Sequence, residues 1–191
     1  MKKIRILIAD DHAVVRLGLK ALFTYQKDLS VVGEADDGES AVSAATALKP
    51  DIVVLDLMMP GIGGAEAARR IHEAVPETRI LVLTSFGTSA DISGALDAGA
   101  SGAVLKGAAN EDLLSAIRTV AAGGRVIAPE IVRQLRSHPP VAELTDRQGE
   151  ILRLVAQGLT DADIAKKVGL SANSVREHIT LIYNKLNAAN R

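Results

Sequence analysis

Five side chains in this 191-residue sequence carry the chemistry: Asp10, Asp11, Asp56, Thr84 and Lys106. Each stands at the end of a short apolar run. Asp10 and Asp11 follow Ile4–Ala9, Asp56 sits near the end of Ile52–Leu57, Thr84 closes Ile80–Thr84, and Lys106 follows Ala103–Leu105. Taken singly, an Asp at a strand end is a helix cap or a solvated turn, and a lysine there is a solvated loop residue. Their order at successive strand ends is the signal. Three carboxylates gathered at one edge repel one another, and a divalent cation relieves the conflict. An all-oxygen site that also serves a phosphoryl group favours Mg²⁺. With a hydroxyl and an ammonium at the same edge, the set suits phosphoryl transfer.

The elements that must position these groups are legible in residues 1–122. Apolar runs at Ile4–Ala9, Val31–Ala35, Ile52–Leu57, Ile80–Thr84 and Ala103–Leu105 are continuous rather than alternating, several of them rich in β-branched residues. That pattern suits strands buried on both faces of a parallel sheet. Stretches of helical spacing lie between them, such as Val15, Leu19 and Leu22, or Ile92 and Leu96. Strand–helix alternation predicts an α/β fold with right-handed crossovers, read here as a doubly wound sheet of five parallel strands in the order 2-1-3-4-5. In that order strands 1 and 3 are neighbours at the topological switch point, where ligands bind at the carboxyl ends of strands.

Gly123-Gly124 ends the fifth helix, and residues 123–143 read as a linker. A short helix follows Pro129 through Ile131, Val132 and Leu135, and Ser137-His138-Pro139-Pro140 breaks it. Residues 144–191 are purely helical. Thr145-x-x-Gln148 is a capping box opening a helix with Ile151, Leu154 and Val155 on its apolar face. Thr160 caps a second helix carrying Ile164, Ala165 and Val168. Ser171 caps a third, with Val175, Ile179, Ile182 and Leu186 on one face. Two short helices, a glycine-containing turn and a longer helix predict a small all-α helix-turn-helix unit. By spacing alone it reads equally as a DNA reader or as a helical interaction module. As a reader, it presents Asn173, Arg176, Glu177 and Thr180 opposite the apolar face, for base or phosphate contact. Thr145 and Ser171 mark helix N-termini that offer backbone donors to phosphates. Arg147, Ser174, His178 and Lys185 add to these.

Composition narrows the remaining classes. The chain has no cysteine, which excludes disulfides, thiolate metal sites and cysteine nucleophiles. There are 22 basic and 23 acidic side chains, so neither a strongly basic coat nor an acidic tail is present. No signal peptide and no membrane span is expected, and a cytoplasmic location follows as the default. Phe23, Tyr25, Phe86 and Tyr183 are the only aromatics. That set cannot build base-stacking platforms, and the core falls to Val, Ile, Leu and 30 Ala.

At this point two resemblances enter. Ile8-Ala9-Asp10-Asp11-His12, Val54-Leu55-Asp56-Leu57-Met58-Met59-Pro60-Gly61, Leu83-Thr84-Ser85 and Ala98-Gly99-Ala100-Ser101-Gly102 up to Lys106 resemble the CheY-like receiver domain of two-component systems. Leu144-Thr145-x-Arg147, Gly158-Leu159-Thr160 through Ile164-Ala165, Leu170-Ser171-x-x-Ser174-Val175-x-x-His178 and Lys185-Leu186 resemble the LuxR-type helix-turn-helix. Together the chain resembles a NarL/FixJ-type response regulator. This implies a phosphorylation-regulated DNA-binding transcriptional regulator, not an enzyme. Asp56 would accept phosphoryl from a sensor histidine kinase. Asp11, Asp56 and the backbone carbonyl of Met58 would ligate Mg²⁺, with Asp10 acting through water. Lys106 and Thr84 would meet the phosphoryl oxygens. The partners implied are the kinase, double-stranded DNA and a second copy of the chain when phosphorylated.

The sequence departs from the resemblance in places. Receivers carry Tyr or Phe three residues before the lysine, and here that residue is Ala103. Gly107 stands where receivers commonly have Pro, and Phe86 reads as a packed loop aromatic. Glu177 on the reading face would repel phosphates yet can accept from cytosine N4. The family continues into a fourth helix past the position of Arg191, so the DNA-binding domain is expected to lack its last helix. His12 reads as a solvated helix-start residue. A phosphatase using the same site would need a carboxylate two residues after Asp56, and that residue is Met58. The competing reading is a phosphorylation-independent DNA-binding or interaction protein with an impaired receiver switch, motivated by Ala103.

Overall fold

The computed structural model describes residues 3–85, 89–137 and 144–186, the side chains of 184–186 excepted. Phe86, the Pro139-Pro140 break and the last five residues lie outside them. The chain divides into two compact units, Met1–Pro140 and Val141–Arg191.

The first unit alternates strand and helix: β1 (Ile4–Ala9), α1 (Ala13–Thr24), β2 (Leu29–Ala35), α2 (Gly38–Leu48), β3 (Ile52–Leu55), α3 (Gly63–Ala74), β4 (Arg79–Thr84), α4 (Ser89–Asp97), β5 (Gly102–Leu105), α5 (Asn110–Ala121), β6 (Val126–Ile127) and α6 (Pro129–Ser137). All strand pairs are parallel, in the order β2-β1-β3-β4-β5-β6. Successive strand residues feed opposite faces. Leu7, Val53, Leu55, Ile80 and Val82 join one core with Ala41, Ala45, Ala67, Ala68, Ile71 and Ile92. Ile6, Ile8, Ile52, Val54, Leu81 and Leu83 join the other with Leu19, Phe23, Leu113 and Ile117. Both faces of the inner strands are covered, so β3 and β5 read as unbroken apolar runs, while the edge strand β2 carries Ser30 and Glu34. Fully buried alanines on α2 and α3 let those helices approach closely with little side-chain volume.

The sheet has six strands rather than five. Val126 and Ala128 donate backbone hydrogen bonds to the carbonyls of Ser101 and Ala103, which adds β6 along β5. A two-residue strand is too short to register as a pattern, so it was not expected. Gly102 makes the pairing possible, because a Cβ there would lie 2.5 Å from the carbonyl oxygen of Val126. Residues read from the sequence as linker therefore include β6 and α6, both packed on the sheet. Ile131 of α6 is fully buried in the core that also holds Ile92, Ala95 and Ala103. That apolar anchor gives α6 a docking face that its polar neighbours concealed.

The second unit holds α7 (Asp146–Ala156), α8 (Asp161–Val168) and α9 (Ala172–Leu186). Thr145 and Gln148 form the reciprocal capping box on α7. Thr160 caps α8, which Gly169 ends in the left-handed conformation. Ile151, Ile164, Ala165, Val168, Val175, Ile179 and Ile182 make one core.

Candidate functional site

The strands end together, and the acidic groups meet at that edge. The Asp56 amide donates to the Ala9 carbonyl at 2.8 Å, tying the end of β3 to the end of β1. Asp10 and Asp56 are buried, while the side chain of Asp11 is about one-third exposed. Asp10, Asp11, His12 and Asp56 each offer a ligand atom, all within 4.8 Å of one another. Lys106 reaches in from the end of β5. Its Nζ lies 2.7 Å from Asp10 Oδ2 and 2.8 Å from Asp56 Oδ2. Burial pushes this ammonium's pKa down, but the two carboxylates outweigh it and hold it above the ordinary 10.5. Three carboxylates face one lysine, so negative charge remains in excess. Their hard oxygen donors fit Mg²⁺.

Thr84 is buried, and among the described residues its Oγ1 has no hydrogen-bond partner. A buried orphan hydroxyl is costly to keep, which points to a partner that arrives with function. The Met58 amide donates to Asp56 Oδ1 at 3.3 Å, and the Met58 side chain is exposed. Asp56, Asp10, Asp11, Thr84 and Lys106 thus lie at one sheet edge. His12 occupies the helix-start position expected of it and is exposed. Its Nδ1 also lies 2.6 Å from Asp11 Oδ1, a contact that adjacency in sequence could have suggested.

Two further residues shape this edge. Arg16 Nη1 donates to the Asp10 carbonyl at 2.7 Å. Gly64, at the start of α3, donates its amide to the Leu57 carbonyl at 2.9 Å and brings α3 against the Asp56–Leu57 backbone. The Gly63-Gly64 pair was the available sequence signal for the second. Nothing in the spacing marked Arg16.

In the second unit, Asn173, Arg176, Glu177 and Thr180 are exposed on α9 opposite Val175, Ile179 and Ile182. Asn173 Nδ2 donates to Glu177 Oε1 at 3.2 Å, and Arg176 Nε lies 3.5 Å from Asp161 Oδ2. Thr180 Oγ1 donates to the Arg176 carbonyl. The Ser174 amide donates to Ser171 Oγ, and the Thr145 hydroxyl accepts from the Gln148 amide. Arg147 is partly exposed and donates to Glu150 and to the Val168 carbonyl at the end of α8. His178 Nδ1 is buried. The Lys185 side chain lies outside the described residues.

The parallel sheet, its acidic edge and the appended helix-turn-helix define a receiver joined to a DNA-binding unit. Residues 6–118 match the response regulator receiver domain family, and residues 142–191 match the bacterial regulatory proteins of the luxR family. The chain belongs to the response regulators, phosphorylation-regulated DNA-binding transcriptional regulators. It is 35% identical over 193 residues to the response regulator protein VraR of Staphylococcus aureus, covering 98% of this chain and 92% of that protein. Among solved structures, the response regulator ChrA of a heme-sensing two-component system aligns with a TM-score of 0.64 at 37% identity, covering 100% and 94% of the two chains. The response regulator RcsB in complex with DNA aligns with a TM-score of 0.70 at 28% identity, covering 100% and 95%. Among the described residues, no helix is long and apolar enough to cross a membrane.

Proposed function

We propose that Asp56 accepts a phosphoryl group from a phosphohistidine on a sensor kinase, and that the modification controls binding of the second unit to double-stranded DNA. One observation carries this reading. Asp56 is buried at the end of β3, in contact with a lysine and near a second buried carboxylate, at the strand edge where the Thr84 hydroxyl has no partner among the described residues.

In the transfer, an Asp56 carboxylate oxygen attacks phosphorus, the P–N bond breaks, and the histidine leaves with the bond's electron pair. Lys106 stays paired with Asp10 and Asp56 and neutralises charge on a phosphoryl oxygen. Asp10, Asp11 and Asp56, with the Met58 carbonyl, would hold Mg²⁺, which supplies positive charge against the transferring group. Phosphorylation adds nearly two negative charges and new acceptors. The Thr84 hydroxyl then donates to a phosphoryl oxygen and gains the partner it lacks, which favours one state of the β4 end.

On the DNA side, Asn173, Arg176, Glu177 and Thr180 read the major groove. Thr145, Ser171, Ser174 and Lys185 meet backbone phosphates. Arg147 holds α7 to the end of α8, so its contribution to DNA contact is indirect. A phosphorylated homodimer, matched to paired half-sites, acts in the cytoplasm.

Acetyl phosphate with Mg²⁺ labels the wild type and leaves Asp56→Asn unlabelled; equal labelling of both overturns the assignment. The second reading, DNA binding without phosphorylation control, is favoured by Ala103, which is buried where receivers place a ring. Footprinting with and without phosphorylation separates the two. Occupancy that rises on phosphorylation supports the first, and identical occupancy supports the second.

A further inference from the structure

We infer that Arg16 is a positioning residue for the acidic pocket: it fixes the Asp10–Asp11 peptide, and through it the direction in which Asp11 presents its carboxylate. This rests on the reading of Asp10, Asp11 and Asp56 as the cation site of a phosphoacceptor.

Hydrogen bonds and ion pairs hold Asp10 on several sides. Its amide donates to the Ala35 carbonyl at 3.1 Å. Its Oδ1 accepts from the His12 amide at 2.9 Å, and its Oδ2 lies 2.7 Å from Lys106 Nζ. Its carbonyl lies beyond the last residue of β1, where the ladder no longer supplies a donor. Arg16 supplies one, at 2.7 Å. That carbonyl shares a rigid plane with the Asp11 amide, so holding one sets the other.

Among the described residues, Asp11 itself has little else to hold it. Its side chain is one-third exposed, and its contact is the exposed His12 ring. The start of α1 offers no substitute, because His12 makes no side-chain cap and the first turn carries no acidic residue. The turn from β1 into α1 therefore depends on a side chain reaching back from the end of the first turn of α1.

Arginine suits the task because its planar head can serve a carbonyl and a carboxylate together. Arg16 Nε lies 3.8 Å from Glu34 Oε2 on β2, and Glu34 Oε1 is held in turn by Lys20 Nζ at 2.5 Å. The Arg16 side chain is mostly buried, at 18% exposure, so this geometry is fixed by packing as well as charge.

The test uses the full chain with Mg²⁺ alone as the probe. Backbone NMR follows Asp11 and His12 in the metal-free state and through a Mg²⁺ titration of wild type, Arg16→Ala, Arg16→Lys and Glu34→Gln. Removing an outer support of a metal ligand weakens affinity roughly 10- to 100-fold. We expect about tenfold weaker Mg²⁺ binding in Arg16→Ala, a smaller loss in Arg16→Lys and the smallest in Glu34→Gln. The Asp11 and His12 amides of metal-free Arg16→Ala should also broaden. Phosphorylation from acetyl phosphate should slow at limiting Mg²⁺ and recover at saturating Mg²⁺.

A folded Arg16→Ala chain binding Mg²⁺ within twofold of wild type overturns the inference. So does a rate loss that excess Mg²⁺ leaves untouched. If Arg16→Ala does not fold, unchanged affinity in both Arg16→Lys and Glu34→Gln overturns it. Failure of the parent reading looks different: the wild type then takes no label on Asp56, whatever the Mg²⁺ titrations of the variants show.

Discussion

Gly64→Ala should damage phosphorylation without touching any group that does the chemistry. A Cβ on Gly64 would fall 2.2 Å from the Asp56 carbonyl oxygen, 2.5 Å from Leu57 Cα and 2.9 Å from the Asp56 carbonyl carbon. All three are backbone atoms, so no side chain can swing away. Real Cβ contacts begin near 3 Å, and the start of α3 must part from the end of β3 by roughly 1 Å. Asp56 is held from two sides, its amide by Ala9 and its carboxylate by Lys106. A shift of that size therefore moves the nucleophile relative to its partners. Misplacement by about 1 Å can cost about 10²-fold in rate, and overpacking costs about 1–3 kcal/mol in stability.

Gly63→Ala is the control. Gly63 has a φ of +68° but nothing within 4 Å of its added Cβ. It should lose about 1–2 kcal/mol to left-handed strain while keeping its rate within threefold. The assay is the pseudo-first-order rate of phosphorylation from acetyl phosphate, resolved on phosphate-affinity gels and paired with urea denaturation. A Gly64→Ala rate within threefold of wild type would refute the reasoning, as would an equal loss in Gly63→Ala.

Two more outcomes follow from the same geometry. Lys106→Met leaves Asp10 and Asp56 buried without their counter-charge. Breaking a buried pair costs about 3–5 kcal/mol, and the open Asp11 side of the pocket lowers the expected loss to about 2–3 kcal/mol, much of which Mg²⁺ should restore. Because the folded lysine's pKa is raised above 10.5, its stabilisation is complete below that pH and fades as pH climbs through the raised value. Urea melts at about pH 8 should therefore separate wild type from Lys106→Met most widely, and the gap should narrow as pH rises above the ordinary lysine range; a gap that stays constant counts against the pairing. Ile131→Ala removes the buried anchor of α6, at a cost of about 2–5 kcal/mol to its docking. Hydrogen exchange should rise across Val126–Ser137 while β1 and β3 stay protected, and an even rise across the sheet would show that the segment is no separate unit.

The site was legible because strand ends are marked locally. Asp10, Asp11, Asp56, Thr84 and Lys106 each follow an apolar run, and parallel strands carry such residues to one edge. The helix-turn-helix was legible for a similar reason, since Thr145, Thr160 and Ser171 announce three helix starts in the chain itself. The supports were not. Arg16 acts through a backbone carbonyl six residues back, and Glu34 approaches it only because β2 lies beside β1. Gly64 matters because of where α3 meets β3. The contact of Arg147 with the Val168 carbonyl depends on how α7 and α8 cross.

By itself the sequence determined the class of fold and which residues stand at the strand ends. These follow from periodicity and residue type, properties that each segment carries alone. Tertiary structure decided the sixth strand, the docking of α6 beside Ala103 and the contacts that aim Asp10 and Asp11. Those depend on distances between segments far apart in the chain, and such distances exist only once the sheet has assembled.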